Sequence, residues 1–144
     1  MLESIIRIGR VSSIDESKGT ARVLFADRED FVSYDMPIVV PFTLSDKMYF
    51  MPSIDERVLC VLLPNDQTQG FILGSYYSND REPPVQDKNK FHINFEDGTI
   101  IEYDKEEHKL KINVQGDIEM SATGTINIKS DKGIVMNAPT INLN

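Results

Sequence analysis

The last 36 residues of the chain repeat with a period of eight. Four octads run from Lys109 to Thr140, and residues 141–144 begin a fifth unit. The second and fourth residues of each octad are apolar, which predicts a short strand with one apolar face, followed by a turn of small and polar residues. The apolar pairs are Leu110/Ile112, Ile118/Met120, Ile126/Ile128 and Ile134/Met136, with Ile141/Leu143 one residue early. A short, fixed period of this kind is typical of stacked β architectures.

The octads are too few to form a stable stack within one chain. A single-chain solenoid with units this short needs about three units per coil and several coils to build a core. Each strand would also leave unpaired N–H and C=O groups along its edges. Three copies wound together would give every strand a neighbour and bring the apolar stripes to one axis. We therefore predict that residues 109–144 form an intertwined, homotrimeric, triple-stranded β-helix with the ten apolar residues on its axis. An antiparallel meander is the alternative.

Composition leaves room for one ordinary domain besides this repeat. The chain has 144 residues, of which 40% are hydrophobic and 26% charged, and no run approaches the roughly 20 apolar residues of a membrane helix. No signal-peptide pattern is visible at the N-terminus, so we expect synthesis in a cytoplasm. The net charge of −8 includes no basic stripe, which argues against a nucleic-acid partner. Cys60 lies in an apolar run and is expected to be a reduced core residue.

The N-terminal part predicts an all-β domain over residues 1–80. The strand candidate at residues 57–63 is almost wholly apolar, so we expect it to be buried on both faces. Residues 64–69 predict a turn, and residues 43–55 have no clear assignment. Five strands with one longer excursion before the fourth favour a Greek-key barrel of the oligonucleotide/oligosaccharide-binding (OB) type, with a small sandwich as the alternative. The five candidates lie at residues 5–14, 20–25, 31–40, 57–63 and 70–77.

A change of pattern separates this domain from the octads. Residues 78–84 are polar and end in Pro83-Pro84, which predicts an extended linker over residues 81–90. Asp97-Gly98 lies between two alternating segments and is a strong hairpin signal. Residues 104–108 form a second polar turn before the repeat. The third predicted region, residues 91–144, therefore consists of a hairpin followed by the octad shaft.

The order of these parts resembles the spike proteins of contractile injection machines. A small barrel, a proline-containing connector, the stretch Asp97–Asp104 and a repetitive β tail are similar to the baseplate assembly protein V family of contractile phage tails and phage-tail-like bacteriocins. The same stretch resembles the start of the β-prism in type VI secretion spikes. The resemblance implies a homotrimer made in a bacterial cytoplasm and assembled into a phage tail or tail-like particle. Its barrels would bind the tail hub protein, and its prism would puncture the envelope of the target cell.

One feature of many phage spikes is missing from this sequence. Those spikes carry a His-X-His motif that holds an iron ion on the threefold axis, whereas this chain has only His92 and His108, far apart. We therefore predict no metal site and no cofactor. The last strands would need a cover, since exposed strand ends are normally capped in such stacks. A separate tip-capping protein is the expected partner at that end.

Three other classes of protein fit the sequence less well than a spike protein does. For an enzyme, the acidic clusters at residues 27–30 and 106–108 lie in polar turns, and no nucleophile or phosphate-binding motif accompanies them, so no catalytic residue is predicted. An OB-type nucleic-acid or oligosaccharide-binding module would use aromatic platforms and a basic groove, but Arg22 and Arg28 lie among acidic residues. A trimeric receptor-binding fibre would expose aromatic or charged groups near its free end, whereas residues 117–144 contain no aromatic residue.

Overall fold

The computed structural model describes residues 5–27 and 29–144, which contain nine strands and no helix. No segment within these two ranges is therefore a helix long and apolar enough to cross a membrane. The predicted start of the barrel domain at residue 1 and the position of Arg28 fall outside the described residues. The strands are β1 (Ile6–Asp15), β2 (Thr20–Phe25), β3 (Phe31–Val32), β4 (Met36–Pro37), β5 (Arg57–Leu63), β6 (Asp66–Ser75), β7 (Lys90–Asn94), β8 (Ile100–Asp104) and β9 (Lys109–Asn113).

The chain divides into two compact units, one ending at Pro83 and one beginning at Pro84. The first six strands form one antiparallel sheet in the order β3-β2-β1-β5-β6, with β4 also paired to β2. At the far edge, Ile38 forms a parallel bridge to Ile72, and the Val39 N–H donates to the Ile72 carbonyl at 2.9 Å. The sheet therefore curls into a partly open barrel, which confirms the all-β, OB-like fold of this unit.

Inward-pointing side chains of five strands fill the interior of this barrel. Val23 and Phe25 from β2, Val58 and Cys60 from β5, and Met36 from β4 are completely buried. Val11, Ala21, Leu62 and Ile72 complete the core. The Phe31 ring stacks on Phe25 with centroids 6.4 Å apart. The prediction that Cys60 is a core residue is confirmed, and burial raises the pKa of its thiol to about 12.

Two irregularities in the β-ladders lie on either side of β2. Ser12 is an extra residue in β1, where the pairing with β2 shifts between Val11 and Ser13. Because of the extra residue, the alternation of inward and outward side chains reverses after Ser12, and Ile14 packs against the core. Ser33 is buried between β3 and β4. Its hydroxyl accepts the Val23 N–H at 2.9 Å, in place of a backbone carbonyl of a neighbouring strand. The β3 and β4 segments therefore act as one interrupted strand along β2.

The structure corrects two expectations for the barrel. β5 is not buried on both faces, because Val58, Cys60 and Leu62 point into the core while Leu63 on the other face is exposed. The expected turn at residues 64–69 is only two residues long, and β6 already begins at Asp66. Gly70 permits this close pairing, since a Cβ at that position would lie 2.2 Å from the Val61 carbonyl oxygen.

The second unit begins with a three-stranded antiparallel sheet in the order β7-β8-β9. The hairpin predicted from Asp97-Gly98 is present: Asp97 accepts the Thr99 N–H at 2.8 Å, and Gly98 adopts a φ of 90°. At the second turn, Asp104 accepts the N–H groups of Glu106 and Glu107. The strand of the first octad is β9, so this octad finds its partner within the chain.

The remaining octads pair with no other segment among the described residues. Residues 114–144 are all described, and none of them belongs to a strand or a bridge. Every residue from 115 onward is exposed. A segment with strand-like alternation and neither burial nor ladder hydrogen bonds lacks the contacts that stabilise β structure.

Candidate functional site

The outer surface of the barrel carries a broad apolar face on β1, β5 and β6. Two rows of outward side chains cross these strands, because Ile6 pairs with Val61 and Val61 with Phe71, and Ile8 pairs with Leu59. We call this surface the outer barrel face; its members are Ile6, Ile8, Leu59, Val61, Phe71 and Leu73. Four of them, Ile6, Ile8, Phe71 and Leu73, are 44–59% exposed. An apolar surface of this kind on a small domain is typical of a protein contact.

A shallow depression of about 310 Å³ lies on this face. It is lined by Ile8, Leu59 and Leu73 from the three strands and by Gly74, Ser75 and Tyr76. Arg10 and Arg57 lie beside it, lining a neighbouring depression with Ile8. The outer barrel face thus combines an apolar centre with a charged rim, as protein interfaces commonly do. Sequence reasoning missed this site because it took the apolar run of β5 as buried on both sides.

The long excursion between β4 and β5 presents further apolar side chains. The segment is held by a bridge between Thr43 and Lys47 and by the Tyr49 hydroxyl, which donates to the Glu16 carbonyl at 3.2 Å. Beside β6 it encloses a groove of about 460 Å³, lined in part by Met48, Phe50 and Leu73. The exposed large apolar side chains of this excursion are Val39, Phe42, Leu44, Met48, Tyr49, Phe50 and Ile54.

The structure places all ten predicted axis residues on the surface of the single chain. Their side chains are 47–81% exposed, and none belongs to the core. Leu110 and Ile112 lie in β9, while the other eight lie in the segment without strands. Their packing on a common axis therefore stays a prediction. The ten residues are Leu110, Ile112, Ile118, Met120, Ile126, Ile128, Ile134, Met136, Ile141 and Leu143.

A polar cluster that the sequence did not predict lies on the β7–β8 hairpin. His92 Nδ1 and Glu102 Oε2 are 2.7 Å apart, and Lys90 Nζ lies 3.5 Å from Glu102 Oε1. The side chains of His92 and Glu102 are only 8% and 14% exposed. The His92 hydrogen bond, followed by the Lys90 charge, holds the pKa of Glu102 below its ordinary value. Sequence could place the three residues on one face of a hairpin but gave no signal that they form an ion-paired cluster.

The acidic clusters named above occupy exposed turns. Asp27 pairs with Arg7, and Glu29 and Asp30 both have positive φ values. In the second cluster, the N–H groups of Glu106 and Glu107 donate to Asp104. Within residues 5–27 and 29–144, no group of three or more His, Cys, Asp or Glu side chains has the geometry to hold a metal ion.

The aromatic residues of the barrel divide between core and surface. Phe25 is buried and Phe31 packs against it, so neither forms an exposed platform. Tyr34 and Phe42 are 60% and 49% exposed. Arg22, which lies in the same part of the chain, is paired with Asp35 at 2.9 Å. In the described part of the barrel, this guanidinium is thus paired with a carboxylate, whereas nucleic-acid-binding barrels use a basic groove.

Comparison with known proteins gives one match to the barrel and one match that extends over almost the whole chain. Residues 7–77 match the family model of the type VI secretion system/phage-baseplate injector OB domain. The chain is also similar to the spike protein of Escherichia phage P2, with 23% identity over 148 aligned residues that cover 97% of this chain and 68% of that protein. The model accounts for the first unit, and the phage protein aligns through the second unit as well. Residues 7–77 are therefore an OB domain of the type VI secretion and phage-baseplate injector family, and the chain as a whole is similar to a phage spike protein.

Proposed function

We propose that this chain is the central spike of a contractile injection machine, built as a homotrimer. Three copies would wind residues 109–144 into a triple-stranded β-helix, and the barrels would attach this shaft to the tail. On contraction of the sheath the shaft would be driven into the envelope of the target cell. The role is mechanical, and no step of it requires a catalytic residue or a cofactor.

A single observation carries this proposal: the apolar pairs recur every eight residues through a segment that has no partner in its own chain. Residues 114–144 form no strand, and their apolar residues are exposed. Pairing between copies would supply both the missing strand neighbours and the missing burial. Each strand would gain hydrogen-bonded neighbours, and each apolar pair would be shielded from water. A narrow prism of continuous hydrogen-bond ladders also has no long loops that would yield under axial force.

The outer barrel face is our candidate for attachment to the tail hub protein. Its centre is apolar, it is flanked by Arg10 and Arg57, and its members come from three adjacent strands. A surface built on paired strands holds its side chains in fixed positions, which suits a permanent structural contact.

The mass of the purified full chain in solution tests the proposal first. Light scattering should give three times 16.4 kDa, and the mass should not change on dilution through the micromolar range. A mass of 16.4 kDa at every concentration would contradict the trimeric shaft. The second test is location: antibodies against the chain should label the distal end of the tail in assembled particles, and labelling along the tube would contradict the spike role.

A further inference from the structure

After β6 the chain makes a closed turn before it leaves the barrel. Ser78 and Arg81 form an isolated antiparallel bridge. The Ser78 N–H donates to the Arg81 carbonyl at 3.2 Å, and the Arg81 N–H donates to the Ser78 carbonyl at 3.0 Å. The Ser78 hydroxyl also donates to Asp80 Oδ1 at 2.7 Å. Residues 78–81 are therefore ordered by their own hydrogen bonds, although their polar sequence alone indicates a flexible connector.

Two ion pairs fasten this turn to the barrel. Asp80 Oδ2 lies 2.9 Å from Arg57 Nη2 in β5, and Arg81 Nη2 lies 3.1 Å from Asp55 Oδ2, just before that strand. Asp55 extends the network, since its Oδ1 lies 3.4 Å from Arg10 Nη1 in β1. We call the turn and this network the connector clasp; its charged members are Arg10, Asp55, Arg57, Asp80 and Arg81.

The members of the connector clasp are held in place more firmly than most surface charges. An isolated surface ion pair contributes little stability, because both side chains must be ordered and water screens them. Asp55 has a φ of 71° and its N–H donates to the Val11 carbonyl at 2.8 Å, so the backbone already positions its carboxylate. The Arg57 side chain is only 29% exposed. The Ser78 hydrogen bond is the main cause that holds the pKa of Asp80 below its ordinary value.

The residues directly after the connector clasp make no polar contact with any described residue. No hydrogen bond or ion pair involves residues 82–86 within that part of the chain, and Pro83 and Pro84 have no N–H to donate. Order resumes at Asp87, whose carbonyl accepts the Lys90 N–H at 3.1 Å at the start of β7. The boundary between the two units, at Pro83 and Pro84, therefore falls in the stretch without polar contacts.

We propose that the connector clasp is a conformational device that makes residues 78–81 part of the barrel and limits the free joint between the two units to residues 82–86. With the clasp open, the joint would include residues 78–81 as well, and a longer joint has more conformations. Arg10 and Arg57 also flank the outer barrel face, so the same ion pairs hold two side chains at its rim. The inference concerns one unit of one chain and does not depend on the proposed trimer.

Amide hydrogen exchange of the full chain, resolved by residue and corrected for intrinsic rates, tests this proposal. In the unmodified protein the Arg81 N–H should exchange at least about fivefold more slowly than the Val85 N–H. Combining Asp55→Asn with Asp80→Asn removes both negative charges at nearly constant shape, and Asn tolerates the positive φ at position 55. In this double variant the exchange rate of Arg81 should rise to within about twofold of that of Val85.

Asp35→Asn is the matched control, because it breaks the exposed ion pair between Arg22 and Asp35, which lies outside the clasp. It should leave the exchange rate of Arg81 unchanged. Equal exchange rates of Arg81 and Val85 in the unmodified protein would overturn the clasp. So would a double variant in which β5 stays protected and Arg81 keeps its slow exchange.

A salt titration of the unmodified protein gives a second measurement that needs no variant and decides the question if the double variant does not fold. Raising sodium chloride to about 1 M screens ion pairs and should speed the exchange of Arg81 by at least about twofold. Gly98 is the internal reference, because its N–H donates to the Phe95 carbonyl at 3.0 Å in a turn of the second unit. An equal response of Arg81 and Gly98 to salt would show that ion pairs do not hold the turn.

Discussion

Arg7 is a charged residue in the core of the barrel. Its guanidinium lies 4.4 Å from the centre of the Phe25 ring and pairs with Asp27, whose side chain is mostly exposed. The weakly hydrated guanidinium can be buried at lower cost than an ammonium group, particularly on an aromatic face. The alternation of β1 predicts that Arg7 points inward, but not which group would pair with it. That partner is 20 residues away in sequence and is set by the curl of the sheet.

Ser33 supports a prediction about the stability of the barrel. Replacing Ser33 by Ala removes the hydroxyl that accepts the Val23 N–H and leaves that buried donor without its partner. An unsatisfied buried donor costs about 1–3 kcal/mol. We expect Ser33→Ala to lower the free energy of unfolding of the barrel by this amount in urea denaturation followed by circular dichroism.

Ser12→Ala is the matched control for this change. Ser12 also lies at a bulge and donates to the Arg22 carbonyl, at 3.3 Å, but it is exposed, so water can replace the bond. Its effect should stay within about 0.5 kcal/mol. Equal unfolding midpoints for the two variants would show that the hydrogen bond of the Ser33 hydroxyl does not stabilise the barrel.

At the scale of single elements, the β7–β8 hairpin should respond to acid. The folded state lowers the pKa of Glu102 below its ordinary value of 4.5, mainly through the His92 hydrogen bond. As the pH falls below 4.5, the unfolded chain takes up this proton before the folded chain does. The stability that Glu102 contributes is therefore present above pH 4.5 and is lost as the pH falls through the folded pKa.

Thermal unfolding of the full chain between pH 3 and pH 7 measures this contribution. The unmodified chain contains other carboxylates with lowered pKa values, such as Asp97 and Asp104, so the informative quantity is its difference from Glu102→Gln. That difference should be largest near neutral pH and shrink toward pH 3. Glu107→Gln removes a carboxylate at an exposed turn and is the control; its effect on the free energy of unfolding at neutral pH should stay within about 0.5 kcal/mol. A pH-independent difference for Glu102→Gln would contradict the role of its charge.

The octad repeat leads to a prediction that distinguishes its apolar positions from the polar positions between them. Ile126 is expected on the axis of the shaft, and Asn127, the next residue, on its outside. Ile126→Asp would bring three like charges into a dry environment, so light scattering should show a greatly reduced trimer fraction. Asn127→Asp adds the same charge on the outside and should leave the mass unchanged. A stable trimer of the Ile126→Asp protein would show that this side of the strand does not face the axis.

Elements whose signals are local could be predicted from sequence. The hairpin at Asp97-Gly98 is an example, because a dipeptide determines the turn. The start of β6 could not be predicted, since Asp66 to Gln69 are polar and indicate a turn, yet Asp66 already pairs with Leu63 of β5. The later octads show a different limit: the strand pattern is clear, but residues 5–27 and 29–144 contain no partner strand for it. The outer barrel face was missed for a related reason, because an apolar run does not tell which side is covered by the same chain.

At the scale of the whole molecule, the outer barrel face should govern incorporation into particles. Ile8→Asp introduces a charge at the centre of that face without touching the core, since Ile8 is 59% exposed. We expect the variant protein to keep the mass and unfolding midpoint of the unmodified chain, while particles assembled with it contain at most about a tenth of the normal amount of spike. A change of this size corresponds to about 1.4 kcal/mol or more of lost binding free energy.

Ser13→Asp is the control, because Ser13 is exposed on the same strand but lies beyond the bulge at Ser12. Quantitative blotting of purified particles compares the two variants. Normal incorporation of the Ile8→Asp protein would place hub attachment elsewhere on the barrel, and the exposed excursion between β4 and β5 would be the next surface to test.

The unpartnered stretch from residue 114 to residue 144 has a consequence for the timing of synthesis. If this segment pairs with other copies, as proposed, it folds only as fast as those copies meet, whereas the barrel folds within one chain. Newly synthesised chains would therefore have folded barrels and unpaired octads until they meet. This interval would shorten steeply as their local concentration rises. Several ribosomes translating one messenger would supply that concentration, so the yield of spike should depend on how densely its message is translated as well as on how much of it there is.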